Sequence, residues 1–367
     1  MTMTRGSIDP ARLRSLLQRL LDLYSPTGKE EKAVDYLHGR LRREGLPVIR
    51  QPVDERRANL LVLPRHVEAD LVLLGHVDTV VAYDLEHYGF AEDGDRIRGL
   101  GAADMKGGLA AMVEAYSVAW HESSGRLASA LAIVVGEEEY GDGAEQLTAD
   151  YHFPWALIAE PTDLLPCLSN FGYIELQIAA SGQRIHASLA DRGSSPVEVV
   201  LSWLQGIVRH MEQAHPDMVL NIRDLLSSRA GFAVPERCEA WLDIHTPPDT
   251  SLEPLLDELD RLRPEPGEKV QNQMRFTTLM GGYALPEKGP LVDTLQRVFA
   301  RQGLDWRPSA FRSHSDANLL WEAGTRPMLL GPGQLEAAHA PDESTSFEQV
   351  CTAAGLYLDL LRGMGEP

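Results

Sequence analysis

Histidine and acidic side chains occur in five short segments that each follow an apolar run or a glycine-rich turn. In chain order these segments are GHVDT, GAADMKGG, GEEEYGDGA, AEPT and AHAPDE. Imidazole and carboxylate groups hold divalent cations, and two such ions about 3.5 to 4 Å apart are the usual centre for metal-assisted hydrolysis. The residue types therefore indicate metal chemistry, provided that the segments meet in the fold.

The glycine-rich segment GLGAADMKGG, residues 99–108, imitates a nucleotide-binding loop but carries an acid in its middle. A phosphate loop points backbone N–H groups at an anion, and Asp104 would repel that anion. Lys106 also precedes its two glycines, so the order of a P-loop is not met. A carboxylate among small residues suits cations instead, and Asp104 could offer one oxygen to each of two metals. The alternative for Asp104 is helix capping.

Two further segments have a metal interpretation and a structural alternative. His76 and Asp78 are two residues apart, hence on the same side of an extended chain. In a metal site His76 would be a ligand and Asp78 would hold its other ring nitrogen, whereas the alternative is a buried histidine beside a turn. The run Glu137, Glu138 and Glu139 follows an apolar strand, where carboxylates repel one another unless cations or protons compensate them. Its alternative is a solvated acidic face.

Glu160 ends another apolar run, and His339 lies in a loop after the predicted strand 327–333. Taken with the other segments, these residues form two trios that share Asp104. The two trios are His76, Glu160 and Asp104, and Glu139, His339 and Asp104. Mixed imidazole and carboxylate ligands suit zinc, with cobalt or manganese as alternatives, so two divalent metal ions are the expected cofactors.

The elements that would position these residues alternate along the chain. Two amphipathic helices come first, and a capping-box pattern of Thr27 and Glu30 opens the second, which stops near Gly45. Short buried strands and helices follow and predict an α/β sheet covered on both faces. The predicted strands are residues 60–64, 71–80, 130–135 and 156–160.

From about Gly172 the pattern changes to strand, helix, strand, strand, helix, strand, which predicts a small ferredoxin-like α+β unit. The first pattern then resumes. The sequence therefore predicts a large domain, residues 1–171 and 284–367, interrupted by a smaller domain, residues 172–283.

Composition narrows the class of partner. The 54 acidic and 34 basic residues give a net charge of −20, which excludes nucleic acid and anionic membranes as main partners. The three cysteines are widely scattered and form no disulfide framework, which favours a reducing compartment. No signal peptide and no apolar run of about 18 residues is recognised. We expect a cytoplasmic protein that acts on small molecules.

The ordered segments resemble the dinuclear zinc metallopeptidase superfamily of acetylornithine deacetylase, succinyl-diaminopimelate desuccinylase, aminoacylase and glutamate carboxypeptidase. Two further segments, SGQRIHAS around His186 and RSHSDANLL, complete a match that spans nearly the whole chain. The resemblance implies a zinc-peptidase-like catalytic domain interrupted by a lid domain, in a homodimer formed through the lids.

The resemblance also implies roles for individual residues. Asp104 would bridge the metals, and His186 would reach from the lid into the partner subunit's site to stabilise the oxyanion. The remaining metal ligands would be His76 and Glu160 on one zinc, and His339 with the second glutamate of a pair on the other. The glutamate before that ligand would be the general base.

The glutamate pair can be read in two frames, because the family pattern is Asp-Glu-Glu and this chain has three glutamates. Counting from the strand makes Glu138 the base and Glu139 the ligand. Counting back from the following Gly-Ala pair, residues 143 and 144, gives Glu137 and Glu138. The first frame is preferred because Tyr140 then occupies the position before the glycine that usually follows the pair.

Two departures from the family concern the grip on a substrate carboxylate. Phe232 replaces an asparagine and His245 replaces an arginine, which weakens the glutamate carboxypeptidase and desuccinylase interpretations. SPTGKEEKAVDYL and SDANLL favour the branch of the deacetylase and of lysine-biosynthesis hydrolases. The predicted function is hydrolysis of the amide bond of an N-acyl amino acid, with Glu138, Asp78 and His186 as catalytic residues and His186 and His245 as substrate contacts. The alternatives are a dipeptidase or carboxypeptidase of the same superfamily and a binding protein without turnover.

Overall fold

The computed structural model describes residues 6–65, 67–190, 195–267 and 269–364. The first five residues, which begin the N-terminal segment used to predict a cytoplasmic protein, lie outside these ranges. The helices are α1 (Pro10–Leu21), α2 (Glu31–Arg43), α3 (Gly107–Glu122), α4 (Asp142–Asp150), α5 (Pro196–Ala214), α6 (Leu252–Arg261), α7 (Pro290–Gln302), α8 (Asp316–Glu322) and α9 (Phe347–Met364). The strands are β1 (Val48–Pro52), β2 (Ala58–Val62), β3 (Leu71–His76), β4 (Ala91–Asp93), β5 (Arg96–Arg98), β6 (Ser129–Val134), β7 (Trp155–Ile158), β8 (Cys167–Asn170), β9 (Gly172–Gly182), β10 (Val219–Ser227), β11 (Arg237–Thr246), β12 (Val270–Met280), β13 (Tyr283–Ala284), β14 (Ser309–Phe311), β15 (Arg326–Leu329) and β16 (Ser344–Ser346).

The chain divides into two compact units. The first comprises Met1–Leu168, Leu285–Phe311 and Ser315–Pro367, and the second comprises Ser169–Ala284 with Arg312–His314. Compared with the predicted boundaries, the second unit begins three residues earlier, ends one residue later and adds the short segment 312–314.

A mixed sheet forms the centre of the first unit, in the order β1-β2-β6-β3-β7-β15-β8. Strand β3 pairs in parallel with β6 and β7, and β7 pairs in parallel with β15. Every residue of β3, β6 and β7 is buried, as expected of strands inside such a sheet. The mixed α/β class is therefore confirmed. Strand β3 ends at His76, earlier than the predicted strand 71–80.

The helices of the first unit bury apolar stripes, as the leucine spacing of α1 shows. Leu13, Leu16, Leu17 and Leu20 are fully buried, at the spacing of one helical face. The predicted capping box at the start of α2 is wrong. The side chain of Glu30 makes no capping hydrogen bond, and the Thr27 hydroxyl instead donates to the Asp78 carboxylate at 2.8 Å.

The second unit has the predicted element order, β9-α5-β10-β11-α6-β12. Its four strands form an antiparallel sheet in the order β10-β11-β9-β12. The core includes Ile174 and Ile178 of β9, Trp203 and Ile207 of α5, and Leu255 of α6. Alternate residues of β9 face these helices, which is the period-two pattern of a sheet with one face covered. Among the described residues, no helix combines the length and apolarity needed to cross a membrane.

Candidate metal centre

Three neighbouring parallel strands bring acidic and histidine side chains to one edge of the sheet in the first unit. His76 is the last residue of β3, Glu137 follows the end of β6 by three residues, and Glu160 follows the end of β7 by two. Because β6, β3 and β7 are parallel, their carboxyl ends meet at the same edge. This is the edge at which open α/β sheets place their ligands.

Asp104 reaches this site on a tightly held turn before α3. The carboxylate of Glu343 accepts the backbone N–H groups of Gly101, Ala103 and Asp104 at 2.8, 2.9 and 3.0 Å. Gly101 has a φ of 82°, and a Cβ there would lie 2.8 Å from a Thr79 methyl group. Only glycine fits that position. The sequence prediction missed Glu343, although this residue ends the AHAPDE segment.

Lys106 fixes the other end of the same turn. Its ammonium group is buried and donates to the carbonyl oxygens of Leu20 and Leu23, at 3.1 and 2.9 Å, where α1 ends. Burial lowers the pKa of Lys106 to about 7. The Lys106 side chain thus links the end of α1 to the turn. Lys106 and Glu343 together fix the turn and, with it, the position of Asp104.

The two carboxylate oxygens of Asp104 face different imidazoles. Oδ1 lies 3.2 Å from Nε2 of His76, and Oδ2 lies 3.5 Å from Nε2 of His339. One carboxylate that faces a separate nitrogen with each oxygen is arranged to be shared by two ions. His339 stands in a loop with a φ of 58°, in the left-handed region.

The structure brings the residues of the first trio together. His76, Asp104 and Glu160 each offer a donor atom, and these atoms lie within 4.8 Å of one another. The distance from His76 Nε2 to Glu160 Oε1 is 4.0 Å. The three donors surround a common point at the edge of the sheet.

The second trio contains Glu138 in place of the expected Glu139. Glu138 Oε2 lies 2.9 Å from His339 Nε2, and the donor atoms of Asp104, Glu138 and His339 also lie within 4.8 Å of one another. Glu139 is exposed and hydrogen-bonds to Tyr140. The structure thus does not bring Glu139 to the site and supports the second frame, with Glu137 and Glu138 as the pair.

The turn after β6 explains this frame. Gly136 has a φ of 81°, and its carbonyl accepts the N–H groups of Tyr140 and Gly141 at 3.0 and 2.7 Å. The chain therefore reverses at once, so that Glu137 and Glu138 face inward and the third glutamate faces solvent. Glu137 Oε2 is 3.8 Å from His76 Nε2.

Asp78 contacts one residue of each trio. Its backbone carbonyl lies 3.1 Å from His76 Nδ1. Because a carbonyl can only accept, this contact favours the tautomer that leaves Nε2 free as a ligand. The Asp78 carboxylate accepts from the Thr27 hydroxyl at 2.8 Å and from the Glu138 N–H at 3.1 Å. Asp78 therefore positions one residue of each trio.

Several buried carboxylates lie close together at this site and shift the pKa values of the groups around them. Burial, followed by neighbouring carboxylates, raises the pKa of Glu137 and Glu160 well above the usual value and also raises the pKa of Glu138. Burial opposes protonation of His76, but the facing carboxylates outweigh it and raise the pKa of His76 well above its usual value. The hydrogen bond to Glu138 raises the pKa of His339 to about 9.

The residues present fit divalent cations. Within the described ranges, Glu138 Oε1 and Glu160 Oε1 are buried and have no hydrogen-bond partner. Buried carboxylate oxygens without donors are costly unless protons or cations compensate them. Two imidazoles and three carboxylates form a nitrogen and oxygen ligand set of the kind that zinc, cobalt or manganese accepts.

Two of the predicted site residues, His186 and His245, belong to the second unit. His186 is exposed, and its Nδ1 lies 2.8 Å from the Ser188 hydroxyl. His245 lies on β11, with its ring 5.3 Å from that of Tyr173 and 5.9 Å from that of His314. Tyr173 stacks on His314 at 4.0 Å. Sequence reasoning missed this aromatic cluster, and burial lowers the pKa of His245 within it.

Phe232, the other departure from the family pattern, has 90% of its side chain exposed. Its backbone carbonyl accepts the N–H of Ala187 at 2.9 Å. The segment of Phe232 thus runs beside the segment that carries His186, and the phenyl ring is free to contact a ligand or a second chain.

Comparisons with known proteins agree with this geometry. A model of peptidase family M20/M25/M40 matches residues 72–363. The acetylornithine deacetylase of Edwardsiella ictaluri is 26% identical over 353 residues, which cover 90% of this chain and 90% of that protein.

Two solved structures share the fold. A tripeptidase from Staphylococcus aureus has a TM-score of 0.80 at 20% identity, with 98% of this chain and 99% of that chain covered. A dinuclear metal-binding peptidase of the M20 family from Bacillus subtilis has a TM-score of 0.67 at 12% identity, with 96% and 97% covered. The family match includes every residue of both trios. We conclude that this chain is a hydrolytic enzyme acting on amide bonds and that it belongs to peptidase family M20/M25/M40.

Proposed function

We propose that this enzyme hydrolyses the amide bond of an N-acyl amino acid at a dinuclear metal centre. The observation that carries the proposal is the position of Asp104, whose two oxygens face Nε2 of His76 and Nε2 of His339. His76, Asp104 and Glu160 would hold one ion. Glu138, His339 and Asp104 would hold the other. Bound divalent ions, with zinc the best fit, lower the pKa of water to about 7 and polarise a carbonyl group.

Glu137 is proposed as the general base. Its carboxylate is left over when both trios are assigned, yet it lies 3.8 Å from His76 Nε2 and only 13% of its side chain is exposed. Burial raises its pKa above the usual carboxylic value, which makes its ionised form a stronger base. Glu137 would accept a proton from the attacking water and return it to the departing amine.

Asp78 is proposed as a positioning residue. It hydrogen-bonds His76 through its backbone and Glu138 through its carboxylate, so it orients one residue in each trio. This role differs from proton transfer, because Asp78 hydrogen-bonds to residues that would hold the metals.

His186 is proposed to stabilise the oxyanion from the second unit of a partner chain in a homodimer. Ser188 holds Nδ1, which leaves Nε2 of an exposed ring free to donate. His245 stays a prediction as a substrate contact, since its ring packs in the aromatic cluster with Tyr173 and His314.

The choice of substrate rests on the relatives. Acetylornithine deacetylases match this chain over most of its length, whereas the similarity to the tripeptidase is one of fold. An N-acyl amino acid is therefore the proposed substrate class, with a dipeptide as the second candidate. A binding protein without turnover is set aside, because membership of the family identifies an enzyme.

Metal-stripped protein supplied with zinc, cobalt or manganese and a panel of N-acetyl amino acids and free dipeptides tests the proposal. We expect metal-dependent hydrolysis of N-acetyl amino acids. Turnover of dipeptides alone would favour the second candidate, and metal-independent turnover would contradict the metal centre.

The base is tested with Glu137→Gln, which we expect to keep both metals while kcat falls by about 10²- to 10⁴-fold, the usual contribution of general-base catalysis. Glu139→Gln is the matched control and is expected to retain wild-type activity. A Glu137→Gln protein with both metals and full activity would remove Glu137 from the mechanism.

A further inference from the structure

A second group of metal-ligating side chains lies in the second unit, at the ends of α5 and α6. His210 and His215 both direct Nε2 at one oxygen of Glu258, at 3.0 and 2.7 Å. The donor atoms of the three residues lie within 4.8 Å of one another. These residues, the α5–α6 cluster, take no part in the proposed reaction.

The end of α5 creates this arrangement. On a continuous helix, side chains five residues apart point about 140° away from each other, so His210 and His215 would not converge. Helix α5 ends at Ala214, and His215 leaves it with a φ of −134° and a ψ of 57°. The two rings consequently come within 5.6 Å of each other, at an angle of 68°. Glu258 of α6 completes the group from a different helix.

The donors have the composition of a known type of metal site. Two histidines and one glutamate are the protein ligands of some zinc sites, in which water fills a further position. The side chains of His210, His215 and Glu258 are 27%, 21% and 32% exposed, so water can reach the common point. A cavity of about 510 Å³ lies beside them and is lined by His215, Met211 and Glu212.

We infer that the α5–α6 cluster is a further binding site for a divalent transition metal, which would join α5 to α6 within the second unit. Imidazole donors favour zinc, nickel and copper over magnesium and calcium. The competing occupant is a proton, because a protonated histidine beside a glutamate needs no metal. The two cases differ in the number of ions bound and in the spectrum of a bound ion.

The first test counts zinc bound to full-length, metal-stripped protein by equilibrium dialysis and metal analysis. We expect the double variant His210→Asn, His215→Asn to bind one equivalent fewer than wild type. His152→Asn removes an exposed histidine of the first unit and is expected to bind as wild type does. The expected difference of one equivalent does not depend on how many ions the first unit holds. Equal zinc content in wild type and the double variant would overturn the site.

The second test follows Cu²⁺ added to protein that already carries zinc in the first unit. Electron paramagnetic resonance is expected to show coupling to two nitrogens in wild type and to lose it in the double variant. Glu258→Gln keeps both histidines and is expected to weaken copper binding by about tenfold or more. Its circular dichroism spectrum shows whether it is folded. Unchanged affinity in folded Glu258→Gln would exclude the three-residue site.

Discussion

Glu138 and Glu139 are adjacent in the sequence but lie in opposite environments. The first is 5% exposed and 2.9 Å from His339, and the second faces solvent. We expect Glu138→Gln to lower the metal content of the first unit by one ion and to lower activity at least 100-fold, because a neutral amide is a poor replacement for a carboxylate ligand. Glu139→Gln is expected to change neither quantity. Metal analysis after dialysis distinguishes them, and loss of an ion only in Glu139→Gln would restore the first frame.

Glu343 allows a prediction about the turn that carries Asp104. Glu343→Ala leaves three buried N–H groups without their acceptor, those of Gly101, Ala103 and Asp104. Each such loss costs about 1–3 kcal/mol before the turn relaxes. We expect the free energy of unfolding to fall by about 2–5 kcal/mol, measured by urea denaturation. Glu336→Ala, an exposed neighbour, is the control and is expected to stay within about 0.5 kcal/mol.

The sequence was informative about the site where a residue type and a strand end coincide. His76 and Glu160 stand at the ends of apolar runs, so the topology of a parallel sheet is enough to expect them together. The glutamate frame depends on the turn closed by the Gly136 carbonyl. The residues that flank the three glutamates favour different frames, Tyr140 the first and the Gly-Ala pair 143–144 the second. Glu343 accepts hydrogen bonds from backbone N–H groups, which every residue type except proline carries, so no sequence pattern marks its partners.

At the scale of elements, the approach of α3 to the segment after β7 sets the position of Glu160. A Cβ on Gly108 would lie 2.3 Å from the carbonyl oxygen and 2.7 Å from the Cβ of Ala159. We expect Gly108→Ala to destabilise the protein by about 1–3 kcal/mol, as overpacking does, and to weaken metal binding because Ala159 precedes a proposed ligand. Thermal unfolding and metal titration measure the two effects.

Gly39 of α2 is the matched control for that substitution. No atom lies within 4 Å of a Cβ built there, so Gly39→Ala is expected to stabilise the helix by about 0.5–1 kcal/mol without changing metal affinity. A Gly108→Ala protein that behaves like Gly39→Ala would show that α3 can move away from Ala159 without cost.

Element order could be predicted better than element ends. Periodicity identified the strand-helix-strand-strand-helix-strand order of the second unit, because β9, β11, α5 and α6 each bury one face. The capping box failed because the Thr27 hydroxyl binds Asp78, a tertiary contact between segments far apart in the chain. The segment 312–314 belongs to the second unit for a similar reason, since His314 stacks on Tyr173, a contact between segments far apart in the chain.

At the scale of the whole molecule, acidic residues are abundant overall and also occur in the interior of the first unit. The net charge is −20, and the carboxylates of Glu343 and Asp316 are almost fully buried near the metal centre. Burial is the main cause that raises the pKa of each to about 7. In the metal-free protein, folding is therefore coupled to proton uptake.

The direction of the pH dependence follows from these shifts. A carboxyl group whose pKa is raised in the folded state contributes stability below its unfolded pKa, and this contribution is lost as the pH rises through the folded pKa. For Glu343 and Asp316 the loss falls between about pH 4 and pH 7. The raised pKa of His339, about 9, continues the loss above pH 6.5. The lowered pKa of Lys106, about 7, acts in the opposite direction only above pH 7.

We therefore expect metal-free protein to lose roughly 2–5 kcal/mol of unfolding free energy between pH 5 and pH 7, about 2 kcal/mol from each of the two carboxyl groups. The charge of bound metal ions would lower the pKa of the nearby Glu343 and Asp316 carboxyls, and metal affinity rises with pH as the ligands deprotonate. Zinc-loaded protein is therefore expected to keep its stability over the same range. Urea denaturation at several pH values, with and without zinc, measures both curves. If protons and metal ions compensate the buried carboxylates in turn, stability falls with pH in the metal-free protein only. Parallel curves with and without zinc would contradict this explanation.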